Sequence, residues 1–160
     1  MNLELEKKLV EKYPKILKDY KGDPKVTCMA WGIDTEEGWY KLLDVCMEKL
    51  QYFCDLCSKD GREVQVVANQ IKEKFGCLRF YITVYGADKV EDQIIDDIIS
   101  EAERISAYIC EVTGEHGSLC NRGGWFKTLC RKEARKLGYV ACNEELENYW
   151  KTKDEQEANS

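Results

Sequence analysis

Three groups of side chains in this sequence could do chemistry. The first is cationic and aromatic. Lys72, Lys74, Arg79 and Tyr81 stand around Gly76 in Gln70-Ile71-Lys72-Glu73-Lys74-Phe75-Gly76-Cys77-Leu78-Arg79-Phe80-Tyr81, and Arg122, Trp125 and Lys127 surround a Gly123-Gly124 pair. Guanidinium and ammonium groups grip phosphate, and a glycine-rich turn at a helix start offers it free backbone N–H groups. Tyr or Trp offers a face on which a base can stack. The chemistry this set predicts is capture of a small phosphorylated, nucleotide-like ligand. The competing reading is a solvated sheet face beside a structural Gly-Gly-Trp turn.

The second group is sulfur. Nine cysteines occur, at 28, 46, 54, 57, 77, 110, 120, 130 and 142. Cys54-Asp55-Leu56-Cys57 is an intact Cys-x-x-Cys, whereas Cys110 and Cys130 each begin a half-knuckle whose second position holds Thr113 or Glu133. Zinc takes four thiolate or imidazole ligands in a tetrahedron, so a site would need Cys54, Cys57, Cys110 and Cys130 to converge. The odd count and the placement of cysteines inside apolar runs favour reduced, mostly buried thiols over disulfides or metal.

The third group is His116 with Cys120, a pairing that elsewhere performs nucleophilic chemistry. No third orienting residue accompanies it, and an exposed loop histidine is the simpler reading. Asp92, Asp96, Asp97, Glu101 and Glu103 lack any histidine and read as a solvated helix face. No catalytic set is complete, so the expectation is a non-enzymatic binding protein with no catalytic residue, metal or cofactor.

The elements that must position these groups follow from periodicity. If Gly76-Cys77 is a two-residue hairpin loop, Phe75 faces Leu78, Lys74 faces Arg79 and Lys72 faces Tyr81. One face then carries Ile71, Phe75, Leu78, Phe80, Ile82 and Val84, and the other Gln70, Lys72, Lys74, Arg79, Tyr81 and Tyr85. The alternation of the first strand changes phase near Val67 or Ala68, which predicts a bulge. Helical spacing marks Trp39 to Cys57, with Asp34 or Thr35 as cap, and Asp88 to Ile109. Residues 3–12 read as a helix that Pro14 ends or restarts. Residues 110–125 read as irregular, Phe126 to Leu137 as a basic helix, Asn143 to Trp150 as a last helix, and 151–160 as a mobile polar tail. The expected fold is α+β: a small antiparallel sheet built on a central hairpin and packed against several helices, in one domain spanning 1–150.

Composition narrows the function classes. In 160 residues, 24 Lys+Arg against 30 Asp+Glu give a net charge of −6, which argues against a stable nucleic-acid partner held by a large positive field. No run approaches the roughly 18 apolar residues of a membrane span, and the start lacks an apolar leader, so a cytosolic protein with no membrane partner is expected.

Four segments carry a resemblance: Glu37-Gly38-Trp39-Tyr40, Ile71 to Tyr81, Cys110-Glu111-Val112-Thr113-Gly114, and Gly123-Gly124-Trp125-Phe126-Lys127-Thr128-Leu129-Cys130. Together they resemble a widespread set of small phage and prophage proteins over most of residues 28–139. The resemblance implies a phage setting in a host cytosol, and a zinc-ribbon-like segment that is degenerate at Thr113 and Glu133. In that setting the expected role is sequestration of a phosphorylated nucleotide signal of host antiviral defence, as a homodimer or other homo-oligomer. The alternative is a protein-interaction module derived from the degenerate ribbon, with Trp125 and the basic helix as its patch.

Overall fold

Glycine and side-chain alternation shape the first sheet. A computed structural model describes residues 1–160. Strands β2 (Gln65–Lys74) and β3 (Cys77–Tyr85) form the expected antiparallel hairpin, but its turn is Phe75-Gly76 rather than Gly76-Cys77. Lys74 pairs with Cys77 and Lys72 with Arg79. Both turn residues have positive φ, 53° and 80°, the pattern of a type I′ turn whose twist matches the flanking strands. From Gln70 to Lys74 each cross-strand partner moves by two residues from the expected register. That even step leaves the strand side chains on their expected faces and carries only Phe75 out to the tip. The bulge lies between Ala68 and Gln70, one residue beyond the predicted place. Strand β1 (Ile33–Asp34) joins the other edge of β2 in parallel, so this sheet is mixed.

Helices α2 (Tyr40–Cys57) and α3 (Lys89–Ser106) cover one face of that sheet. Leu43, Met47, Leu50 and Cys54 of α2, with Ile95, Ile99 and Ala102 of α3, meet Ile71, Leu78 and Phe80 in a core of 21 buried residues. Full burial of each Leu or Ile contributes roughly 1.5–3 kcal/mol. Asp88 starts α3 with a capping box, accepting from the Val90 and Glu91 N–H groups while Glu91 returns the bond to the Asp88 N–H. Helix α1 (Leu3–Lys12) stops before Pro14, and the chain then runs in successive turns to Lys21 instead of restarting a helix. Ile16 and Leu17 are nonetheless fully buried, and the Ile16 carbonyl accepts from the Ala68 N–H at 2.8 Å.

The second half departs further from expectation. Residues 118–129 are not loop and helix but a second hairpin, β4 (Ser118–Arg122) and β5 (Trp125–Leu129), turning at Gly123-Gly124 with φ of 58° and 89°. Strand β6 (Val140–Ala141) pairs with β4, giving the order β5-β4-β6. The helix predicted from Phe126 begins later, as α4 (Arg131–Leu137), and ends on left-handed Gly138. Helix α5 (Glu144–Ala158) passes Trp150 and takes in most of the stretch read as a tail. Its Asp154 and Glu157 pair with Arg131, and Asp154 also pairs with Arg135. Cys110, Cys120, Leu129, Cys130, Ala134, Tyr139, Ala141 and Trp150 form a separate second core. The fold is α+β with two three-stranded sheets, and no helix is long and apolar enough to cross a membrane.

Candidate functional site

With α2 and α3 on one side of the first sheet, the hairpin turns its other side outward. Lys72 and Arg79 are direct cross-strand partners there, as are Gln70 and Tyr81. The Lys72 ammonium stands 5.9 Å from the centre of the Tyr81 ring, and Lys18 stands 5.3 Å from that of Tyr85. Tyr81 and Tyr85 are 43% and 51% exposed. Arg79 leans sideways to Glu103 at 3.4 Å, whereas Lys72 and Lys74 take part in no ion pair. The free edge of β3 is closed by α3: the Leu78 N–H donates to Ser106 Oγ and the Phe80 N–H to Glu103 Oε1, both at 2.9 Å. This part of the edge therefore offers little to a pairing strand, and the face remains. At the Tyr85 end a cleft of about 590 Å³ opens between the hairpin and the turns after Pro14, lined by Lys15, Lys18, Glu63, Gln65 and Tyr85. Lys15 and Lys18 were not singled out in the sequence. Their lysine-rich stretch beside Pro14 was the available signal, but nothing local shows that it folds back onto β2.

Four of the seven predicted ligand residues thus share one face; the other three lie on the second sheet. Lys127 donates to Glu111 Oε2 at 2.9 Å, and the Glu111 side chain is only 2% exposed. Glu111 Oε1 accepts from the Glu36 N–H at 3.1 Å. Burial pushes the Glu111 carboxyl above the usual range, more than Lys127 and the backbone pull it down. Burial works against the Lys127 ammonium, but Glu111, with Glu36 and Glu73 farther off, outweighs it and raises its pKa. Arg122 donates to the Leu137 carbonyl at 2.7 Å and lies over the Tyr139 ring. Trp125 stands beside the Gly-Gly turn, 75% exposed.

Around Lys127 the two sheets are joined by the first hairpin's tip. Thr128 Oγ1 donates to the Gly76 carbonyl at 2.6 Å, and a Cβ on Gly76 would lie 2.5 Å from Leu119 Cδ1. The Gly38 N–H donates to the Glu111 carbonyl at 2.7 Å, and Trp39 Nε1–H to the Ile109 carbonyl at 2.9 Å. The four segments that carry the resemblance therefore meet at one joint.

Sulfur is distributed over both cores. Cys54 lies in the first, with Cys57 packed against it, whereas Cys110 and Cys130 lie in the second, so the four thiols do not assemble. Cys110 and Cys130 are hydrogen-bonded neighbours, and the Thr113 hydroxyl contacts the Cys130 sulfur at 3.9 Å. Burial raises the Cys110 pKa, but the Thr113 hydroxyl and the N–H groups of Cys130, Thr113 and Val112 outweigh it, so the net shift is downward. Burial, reinforced by Cys110, raises Cys130. Glu133 sends its carboxylate to Lys136. Cys120 is fully buried, donates to the Ser118 carbonyl at 3.2 Å and is pushed up to about 12 by burial. Its thiol stays protonated at neutral pH while His116 is exposed, which is a poor arrangement for nucleophilic attack.

No protein-family model, curated protein or solved structure matches the chain, and the site's own residues carry its functional reading.

Proposed function

We propose that the protein is a non-catalytic binder of a phosphorylated nucleotide, held on the outer face of the β2–β3 hairpin. The observation that carries this reading is the pair Lys72 and Lys74, without carboxylate partners, beside Arg79 and the exposed ring of Tyr81. Phosphate oxygens answer the ammonium groups and a base stacks on tyrosine. Tyr81 and Tyr85 stand about 13 Å apart along the strand, a spacing that suits a ligand with more than one base or ribose. Lys15 and Lys18 extend the cationic lining into the adjoining cleft. Such a binder acts by stoichiometric capture and needs no general base. In a phage setting the fitting use is sequestration, in the host cytosol, of a defence signal such as a cyclic ADP-ribose derivative or a cyclic oligonucleotide.

Native mass spectrometry and titration calorimetry with those nucleotides test it. The expected result is a stoichiometric complex whose affinity falls about tenfold for each of Lys72→Ala and Lys74→Ala, the size of one charge-assisted contact. Absence of binding, or binding indifferent to both substitutions, overturns it.

One observation favours the alternative, a protein-interaction module: Trp125 and Phe75 are 75% and 68% exposed on the tips of the two hairpins. The basic helix is a weaker part of that patch, because Arg131 and Arg135 are matched by Asp154, Glu157 and Glu147 of α5. A protein partner lost on Trp125→Ala, with no nucleotide bound by the wild type, would select this reading.

A further inference from the structure

Helices α2 and α3 carry more apolar surface than their core takes up. Beside its core stripe, α2 has a second one, Leu42, Val45, Tyr52 and Leu56, in which Val45, Tyr52 and Leu56 are 49%, 66% and 47% exposed. Helix α3 has its own, Val90, Ile94, Ile98 and Ile105, with Val90 and Ile94 at 69% and 38%. The helices run antiparallel: Cys57 at the end of α2 and Arg62 in the segment that follows it bond to Glu91 at the start of α3, and the first half of α2 lines a groove with the second half of α3. Leu42 and Val45 of the α2 stripe and Ile98 and Ile105 of the α3 stripe line that groove, and the remaining stripe residues continue along each helix beyond it. Residues repeating at three and four are the seam of packed helix bundles, whereas a finished surface helix shows polar residues there.

Each stripe is broken once by a charge, and the two charges are opposite. On α2 the break is Lys49, which is in none of the chain's ion pairs; on α3 it is Glu101, held only by its exposed neighbour Arg104. Both border the groove. We infer that this face docks a second copy of the chain. A two-fold axis along the groove lays α2 of each copy on α3 of the other and keeps residues at their own height, so that Lys49 meets Glu101 twice while the apolar stripes interdigitate. An isologous contact requires a self-complementary surface, and opposite charges on paired stripes supply it. A standard interface takes about 800 Å² from each partner, less than a tenth of the 9556 Å² this chain exposes. The groove lies across the sheet from the proposed nucleotide face, so the inference stands without that reading.

Analytical ultracentrifugation of the full chain tests it, with circular dichroism and thermal melting confirming that each variant is folded. The wild type is expected to sediment as a reversible dimer of 18.6 kDa chains. Val45→Asp, at an exposed position, is expected to give monomer. Lys49→Glu and Glu101→Lys are each expected to raise the dimer Kd about tenfold or more, and the double charge swap to return it towards wild type. A wild type that stays monomeric, a dimer indifferent to Val45→Asp, or single-variant losses that the swap does not recover would each overturn the inference.

Discussion

Replacing Lys127 with alanine separates a structural role from ligand binding and gives a magnitude that can be checked. The substitution strands Glu111, whose side chain is 2% exposed, without its ammonium partner. Removing one member of a buried pair costs about 3–5 kcal/mol. Two features reduce that here: the Lys127 side chain is 26% exposed, and Glu111 keeps the Glu36 N–H at 3.1 Å. The expected loss is therefore about 2–3 kcal/mol, or about 5–10 °C in Tm for a domain of this size. The pH dependence has a definite sign. The folded-state pKa of Glu111 lies above its unfolded value, so its own contribution to stability is fully present below the usual glutamate range and is lost as pH rises through the raised value. Without Lys127 that pKa climbs further, so the gap between wild type and variant is widest near neutral pH and narrows on acidification. Differential scanning calorimetry at about pH 8 and about pH 5 measures both quantities. An unchanged Tm at the higher pH, or a loss of equal size at both, refutes the reasoning. Lost nucleotide affinity with a wild-type Tm would instead place Lys127 against the ligand.

Other substitutions test the turns and the joint. Gly38→Ala would put a Cβ 2.2 Å from the Cys110 carbonyl oxygen and 2.5 Å from that of Glu111, so a loss of more than about 3 kcal/mol is expected in urea unfolding; a mild effect would mean the joint is looser than described. Phe75→Asn suits the left-handed first position of the hairpin turn and removes an exposed ring, so it should stabilise by about 0.5–1 kcal/mol; destabilisation would give Phe75 a packing role. Alkylation of the native protein followed by mass mapping should modify Cys28 and Cys142 first, with Cys46, Cys54, Cys110, Cys120 and Cys130 reacting only after unfolding. Early labelling of Cys110 would show that the second core opens readily.

What could be read from the residues depended on how local the signal was. The stripes of α2 and α3 were legible because a period of 3.6 repeats over eighteen residues in each. The hairpin was legible too, but its turn was misplaced: glycine was read as the first loop residue when it is the second, and Phe75 supplies the left-handed first position that Asn or Asp more often fills. Gly123-Gly124 carried the same turn signal. It was obscured because Phe126, Leu129, Cys130 and Leu137 also mimic helical spacing, and five-residue strands offer little alternation. The shared face of Lys72, Lys74, Arg79 and Tyr81 followed from strand parity alone. The burial of Lys127 against Glu111 could not, since it depends on two sheets meeting at a hairpin tip. The fate of Arg131 and Arg135 likewise depends on acids that α5 brings from 12 to 26 residues further on.

The two cores are also consecutive in the chain. All 21 residues of the first lie at or before Ala102, and all eight of the second at or after Cys110. During synthesis the N-terminal unit can close while the rest is still in the ribosome, leaving the Gly76 carbonyl and the groove beside Gly38 as a ready template for the C-terminal unit. The same division sets the order of opening in the finished protein. With eight buried residues against 21, the C-terminal unit is the weaker foldon, and its amides should exchange with solvent through partial unfolding while those of β2 and β3 stay protected.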